Sequence, residues 1–220
     1  MGSKTIKTQV TKEHYFNGYD NMIKFMYYFH EIELTKSLNP KSILEIGVGN
    51  KTYYNYMKQQ GYEIKSLDFD KTLNPDIIAD VRNTKLKEES FDVVVAFEVM
   101  EHLPYSEFQQ ALKELRRVSR KHVILSIPFR AITFELIFRI PMLGRLIKKP
   151  FVRFFYRTPF LMKDLKMGFK GNNQHYWEIG TKSYPIKRII KKIENSGFKI
   201  ISESNVPLDA GSFFFVLEKL

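Results

Sequence analysis

An α/β fold, with a doubly wound and largely parallel sheet, is what this 220-residue sequence predicts. Three observations carry that expectation. Short apolar runs, each closed by an acid, a glycine or a proline, alternate with stretches of helical composition. The first run, Ser42-Ile43-Leu44-Glu45-Ile46, opens directly into the turn Gly47-Val48-Gly49. The last two runs are separated by only about eight residues. That is too few for a crossover helix, so the last strand is expected to run antiparallel to its neighbours.

The elements follow in order. An approach segment leads into a helix over roughly Tyr19 to Ser37, ended by Asn39-Pro40. After the first strand, Lys51 to Gln60 suits a helix stopped by Gly61. Tyr62 to Leu67 is the second strand, ending at Asp68, and Ile77-Ile78-Ala79 is a brief third, followed by Asp80. Phe91 to Phe97 is the fourth strand. Ser106 to Arg120 is a helix with Ser106 as N-cap, and His122 to Ile127 is the fifth strand, stopped by Pro128. Residues 129–175 break the rhythm. It resumes with a helix over Ser183 to Ser196, then strands at Phe198–Ser204 and Ser212–Glu218. One domain is expected over 1–220: a helical cap (1–40), a cofactor-binding half (41–128), a lid or acceptor insertion (129–176) and a closing helix and strand pair (177–220).

Composition narrows the class. A hydrophobic fraction of 44% is that of a chain with a core, which excludes a disordered chain. With no cysteine, disulfides and thiolate metal sites are excluded, and a reducing cytoplasm fits. No apolar run reaches the roughly 18 residues of a membrane span, and no signal-peptide core is visible at the N-terminus. The net charge of +11 is concentrated. Ten Lys/Arg and two acids fall between Phe129 and Lys170, a local +8.

Ligands of such sheets bind at the carboxyl ends of the strands. There Gly47 and Gly49 permit a tight turn and close approach of backbone to ligand. A nicotinamide dinucleotide fingerprint would want glycine at position 52, which is Thr52, and a P-loop would want it at Asn50. Glu45, two residues before Gly47, disfavours a diphosphate and welcomes a ligand carrying ammonium and sulfonium groups. Asp68 is placed to accept hydrogen bonds from a ribose diol. Asp80-Val81 offers a carboxylate for an adenine amino group and an N–H for a ring nitrogen.

"ILEIGVGN", "SLDFD", "IIADV", "FDVVVAFEVMEHLP" and "HVILSIP" stand in an order and spacing that resembles the class I S-adenosylmethionine-dependent methyltransferases, in their type 11-like, small-molecule branch. The resemblance covers roughly residues 41–128. It implies a Rossmann-like, seven-stranded sheet with the last strand inserted antiparallel. It also implies that Glu45, Gly47, Gly49, Asp68, Phe69, Asp80, Val81 and Phe97 surround S-adenosylmethionine. Lys51 replaces the usual third small residue of the loop, and Tyr15 or Tyr19 is the candidate N-terminal aromatic contact.

Two carboxylates and an imidazole crowd "FEVMEHLP". If the chain turns helical at Glu98, then Glu98, Glu101 and His102 share one face of a turn where the methyl acceptor must sit. With His175 as a further ligand they would suit Mg²⁺ or Mn²⁺. This is similar, more weakly, to the Glu-x-x-Glu-His metal-dependent O-methyltransferases of ubiquinone synthesis and small-RNA 2′-O-methylation. The same cluster also occurs in relatives that use no metal. Without metal, His102 or His175 is the candidate general base.

The insertion "FRAITFELIFRIPMLGRLIKKPFVRFFYRTPFLMKDLKMGFKGNNQHYW" joins that +8 to many Phe, Leu, Ile and Met residues. Glu135 and Arg139 suit an i, i+4 pair on a short helix ended by Pro141. Three readings compete: a lid packed on the sheet, an element lying on anionic lipid or receiving a lipid-linked acceptor, and a nucleic-acid surface. The expected activity is O-methylation of a small-molecule, glycan or lipid-linked acceptor by a cytoplasmic or membrane-peripheral enzyme. The alternatives are a metal-dependent RNA 2′-O-methyltransferase and a cofactor-binding protein without turnover.

Overall fold

The structure, a computed structural model, describes residues 12–138, 151–158, 161–164 and 174–220. A short helix α1 (Lys12–Phe16) precedes α2 (Met22–Ser37), whose N-cap Asn21 accepts from the Lys24 N–H at 3.0 Å. Then come β1 (Ser42–Ile46), α3 (Thr52–Gln59), β2 (Glu63–Asp68), β3 (Ile77–Ile78) and β4 (Phe91–Phe97). The chain continues through α4 (Tyr105–Val118), β5 (Ser119–Pro128), β6 (Thr133–Phe138) and β7 (Val152–Arg157). It closes with α5 (Ile186–Glu194), β8 (Phe198–Val206) and β9 (Asp209–Lys219).

Seven strands form one sheet in the order β3-β2-β1-β4-β5-β9-β8, and β6 and β7 form a separate two-stranded ribbon. From β3 to β5 every pairing is parallel, while β9 lies antiparallel between β5 and β8. This is the expected Rossmann-like sheet with its last strand reversed. All five residues of β1 are buried, as they must be in a strand covered on both faces. The period of two sorts them. Leu44 and Ile46, with Val94, Ala96 and Leu125, face α4 and α5, where Phe108, Leu112, Leu115, Ile189 and Ile193 fill the layer. Ile43, with Val93, Val95 and Ile124, faces α2 and α3 through Ile32, Tyr53, Tyr54 and Met57. Helix α4 shows why it folds there: Phe108, Ala111, Leu112, Leu115 and Val118 recur at helical spacing and are fully buried.

Three local expectations are corrected. The N-cap of α4 is Pro104, which makes no side-chain cap bond, rather than Ser106. Glu98 does not begin a helix: its φ is +53°, and only Met100–His102 forms a single 3₁₀ turn. Glu135 lies in strand β6, not in a helix, and its carboxylate pairs with Arg153 of β7. The sequence Thr133-Phe134-Glu135-Leu136-Ile137-Phe138 alternates with a period of two and is rich in β-formers, which outweighs one helical charge pair. Arg139 and Pro141 lie outside the described residues. No helix among the described residues is long and apolar enough to cross a membrane.

Candidate functional site

Sequence order reverses between β1 and β4. The chain builds β2 and β3 on one side of β1 and then crosses back to β4 on the other. Side chains and loops at the carboxyl ends of these two strands border a cavity of about 370 Å³, in the size range of cofactor sites. Its lining includes Gly47, Gly49, Asp68, Phe69, Val81 and Phe97 on one side. Glu98, Glu101, His102 and His175 line the other, and Tyr15, Tyr19 and Lys24 come from the N-terminal segment.

Gly47 is required where it stands. Its φ is +79°, and a Cβ there would lie 2.5 Å from Val99 Cγ2. The missing small residue of the loop turns out to be a backbone problem already solved. Lys51 adopts the left-handed conformation (φ +66°), with its ammonium drawn away to the Asn74 carbonyl. Asp68 closes β2 and is held by the loop itself. Its Oδ2 accepts from the Val48 N–H at 3.0 Å and its Oδ1 from the Asp70 N–H at 2.9 Å. Burial pushes its pKa up, against the pull of those backbone donors. Each oxygen keeps a lone pair, so the carboxylate is oriented to accept from a diol in the cavity. This donor and acceptor set fits an adenosyl cofactor.

Two sequence candidates are placed elsewhere. Glu45 is buried and absent from the cavity lining. It lies on the strand face turned toward α2 and α3, where burial, and then Glu31 and Asp68, raise its pKa well above the usual carboxylate range. The cause is the pleat: Glu45 shares the face of Ile43, not that of Leu44 and Ile46. Asp80 also lies outside the lining, its two oxygens gripped by Arg82 Nε at 2.9 and 3.0 Å. Burial alone would raise the Asp80 pKa, but the guanidinium outweighs it and the net shift is downward. Val81 does line the cavity.

On the other side, His175 is brought onto the 3₁₀ turn by two hydrogen bonds. The Tyr176 N–H donates to the Glu101 carbonyl at 2.8 Å, and the Trp177 indole donates to the Leu103 carbonyl at 3.0 Å. The rings of His102 and His175 then meet edge to face, 5.1 Å between centroids. Glu101 Oε1 lies 3.9 Å from His102 Nε2 and 4.0 Å from His175 Nε2. Glu101 is fully buried, and neither carboxylate oxygen has a hydrogen-bond partner among the described residues. Burial, and then the Glu98 charge, raise its pKa well above the usual range. His102 is pushed down to about 4 by burial and by His175, so it is neutral at physiological pH. His175 Nδ1 is 2.7 Å from Glu178 Oε1. A carboxylate can only accept, so Nδ1 donates to Glu178, and Nε2 is the nitrogen that faces Glu101.

Glu98 stands apart from this trio. Its N–H donates to the Ser126 carbonyl and hydroxyl at 3.2 and 3.0 Å, and burial raises its pKa against the opposing charge of Lys24. Lys24 and Glu178 escaped the sequence reading. Burial lowers the Lys24 pKa, but Tyr19, Glu98 and Glu31 outweigh it and leave it raised. Its ammonium also sits 4.7 Å over the Tyr19 ring. The close spacing to His175 was the signal the sequence held for Glu178.

The methyltransferase-domain family model matches residues 44–127. No curated protein sequence matches the chain. Among solved structures, the PH0226 protein from Pyrococcus horikoshii OT3 superposes with a TM-score of 0.60 at 13% identity, covering 96% of this chain and 100% of that one. A Burkholderia thailandensis 1,6-didemethyltoxoflavin-N1-methyltransferase, bound to 1,6-didemethyltoxoflavin and S-adenosylhomocysteine, gives 0.58 at 13% identity over 94% and 84% of the two chains. Magnesium protoporphyrin IX methyltransferase from Synechocystis PCC 6803, with bound S-adenosylhomocysteine, gives 0.58 at 14% identity over 95% and 92%. At these identities the structures share the fold. The methyltransferase-domain match spans β1 to β5 and the carboxyl edge that borders the cavity, and the chain as a whole shares the fold of these structures.

Proposed function

We propose that the enzyme methylates a hydroxyl oxygen of a small acceptor, with His175 as the base that takes the proton. The observation that carries this reading is the His175–Glu178 pair, which engages Nδ1 and leaves Nε2 as the nitrogen at the edge of the cavity that Gly47 and Asp68 also line. S-adenosylmethionine supplies an electrophilic methyl group when bound. The residues proposed to hold it are Gly47, Gly49, Asp68, Phe69, Val81 and Phe97. The acceptor hydroxyl would lie between His175 and the methyl group. His175 Nε2 would take the hydroxyl proton as the bound cofactor supplies its methyl group and leaves as the neutral thioether. His102, with its depressed pKa, is a weak base and acts instead as a neutral partner that orients the acceptor. Alignment and exclusion of water supply most of the rate.

Turnover of a panel of phenols, catechols and sugar alcohols, read as S-adenosylhomocysteine formed, tests this reading. His175→Gln is expected to lower kcat at least a hundredfold while cofactor affinity holds within threefold. A variant that keeps the wild-type kcat on an acceptor the enzyme methylates would overturn it. Cofactor binding with no turnover on any acceptor would favour the non-catalytic alternative.

A second reading has its own observation. Glu101, His102 and His175 offer ligand atoms that all lie within 4.8 Å of one another. A bound divalent ion wants its ligands roughly 3–3.5 Å apart, so a contraction of about 1 Å would close the set. A cation would also give the orphaned Glu101 carboxylate a partner. Such an ion would supply a Lewis acid that orients acceptor oxygens. Glu98 falls outside that set. Mn²⁺ titration followed by electron paramagnetic resonance should show one site, lost in Glu101→Gln. No tight site in the wild-type protein would leave the metal-free reading alone.

A further inference from the structure

The β6–β7 ribbon has two unlike faces. Its inner face is fastened to the sheet. Arg153 pairs with Glu135 and donates to the Asn205 and Val206 carbonyls at 3.2 and 3.3 Å, and the Leu208 N–H donates to Glu135 Oε2 at 3.0 Å. The outer face carries the cross-strand pairs Phe134 with Tyr156 and Leu136 with Phe154, next to Phe138. These five side chains are between 48% and 63% exposed. They form an apolar row with nothing packed on it among the described residues.

We propose that the outer face of this ribbon seats on an anionic lipid surface. Clustered exposed aromatic and aliphatic side chains of this kind mark an interaction site rather than ordinary surface. Charge selects the occupant. The segment from Phe129 to Lys170 carries +8, and the chain joining the two strands contains Arg139, Arg145, Lys148 and Lys149 with no acid. A second copy of this chain, at +11, would bring like charges together, whereas an anionic bilayer complements them. Membrane contact here is peripheral, since apolar side chains of such a face enter only the headgroup boundary. Seated this way, the enzyme would take an acceptor that resides in or at the lipid surface.

Co-sedimentation of the full chain with vesicles of phosphatidylcholine, or phosphatidylcholine with phosphatidylserine, tests it without requiring turnover, so its outcome is separate from that of the acceptor chemistry. The expected result is at least tenfold tighter binding to the anionic vesicles, weakening as salt rises. The triple variant Phe134→Ser, Leu136→Ser, Phe154→Ser should lose at least tenfold of that affinity while binding S-adenosylhomocysteine as the wild type does. Phe154→Trp gives an independent signal, because the native Trp177 is buried and bonded to Leu103. The added indole's emission should shift to the blue on anionic vesicles. Binding that ignores lipid charge, a triple variant that pellets like the wild type, or an emission of the Phe154→Trp variant unmoved by vesicles would each overturn the proposal. So would a dimer or an RNA complex that needs the same three side chains and forms in preference to vesicle binding.

Discussion

The carboxyl edge of the sheet and the β6–β7 ribbon are both rich in aromatic and charged residues, yet they use them oppositely. At the edge, polar groups are turned inward: Asp68 is oriented by two backbone N–H groups, and Glu101 is buried without a hydrogen-bond partner among the described residues. On the ribbon, charges bind the inner face and the apolar groups are turned outward. Burying an unpartnered carboxylate costs free energy unless a ligand supplies the missing partner, and exposing five large apolar side chains carries the reverse cost. Each region thus breaks the usual rule of burial in the direction of what it is proposed to hold. One is shaped for a small polar ligand and the other for an apolar surface.

Folding stability gives the largest contrast. Phe108→Ala, in the layer between α4 and the sheet, should lower unfolding free energy by about 3–5 kcal/mol in urea titration. Phe154→Ala, on the ribbon's outer face, should change it by less than about 0.5 kcal/mol. A comparable loss at Phe154 would mean that this face is packed after all.

A smaller effect concerns pH. Burial, and then the Glu98 charge, push the Glu31 carboxyl up to about 8 from its ordinary value of 4.5. Between those values the folded protein keeps a proton that the unfolded chain releases. This contribution to stability is therefore full below pH 4.5 and is lost as pH rises through 8. Glu31→Gln mimics the protonated form. Relative to wild type it should gain on the order of 3 kcal/mol between pH 5 and pH 8.5. Parallel pH profiles for the two proteins would contradict the assignment.

Smaller again is the loop. Gly47→Ala must accommodate a Cβ against Val99 at a left-handed φ. Cofactor affinity measured by calorimetry should fall about a hundredfold, or roughly 2.7 kcal/mol. An unchanged affinity would show that the loop has room which the structure denies it.

Much of the edge was legible in the sequence because strands announce their own ends. Phe91–Phe97 was expected and found with the same limits, and its apolar run stops where the cavity begins. The faces of strands were less legible. Glu45 looked like a cavity residue from its distance to Gly47, but the alternation of β1 turns it toward α2. Asp80 stands off the cavity lining because Arg82, two residues on, holds its carboxylate. The cluster of Glu101, His102 and His175 came together although the helical turn that motivated it is absent, since a left-handed Glu98 redirects the chain instead. The ribbon was missed because one i, i+4 charge pair was weighed above the two-residue alternation around it. Nothing local announced that Lys24 would reach the cavity, which depends on how α2 packs.

The central claim is that the cavity at the ends of β1, β2 and β4 holds the adenosyl cofactor through Asp68. Calorimetric titration of S-adenosylhomocysteine into the wild type, Asp68→Asn and the triple ribbon variant tests it most directly. The wild type should bind at one site. Asp68→Asn should bind at least tenfold more weakly, losing a charge-assisted acceptor worth about 1.5–3 kcal/mol, and the ribbon variant should match the wild type within twofold. Wild-type affinity in Asp68→Asn, or no binding by the wild-type protein, would contradict the account.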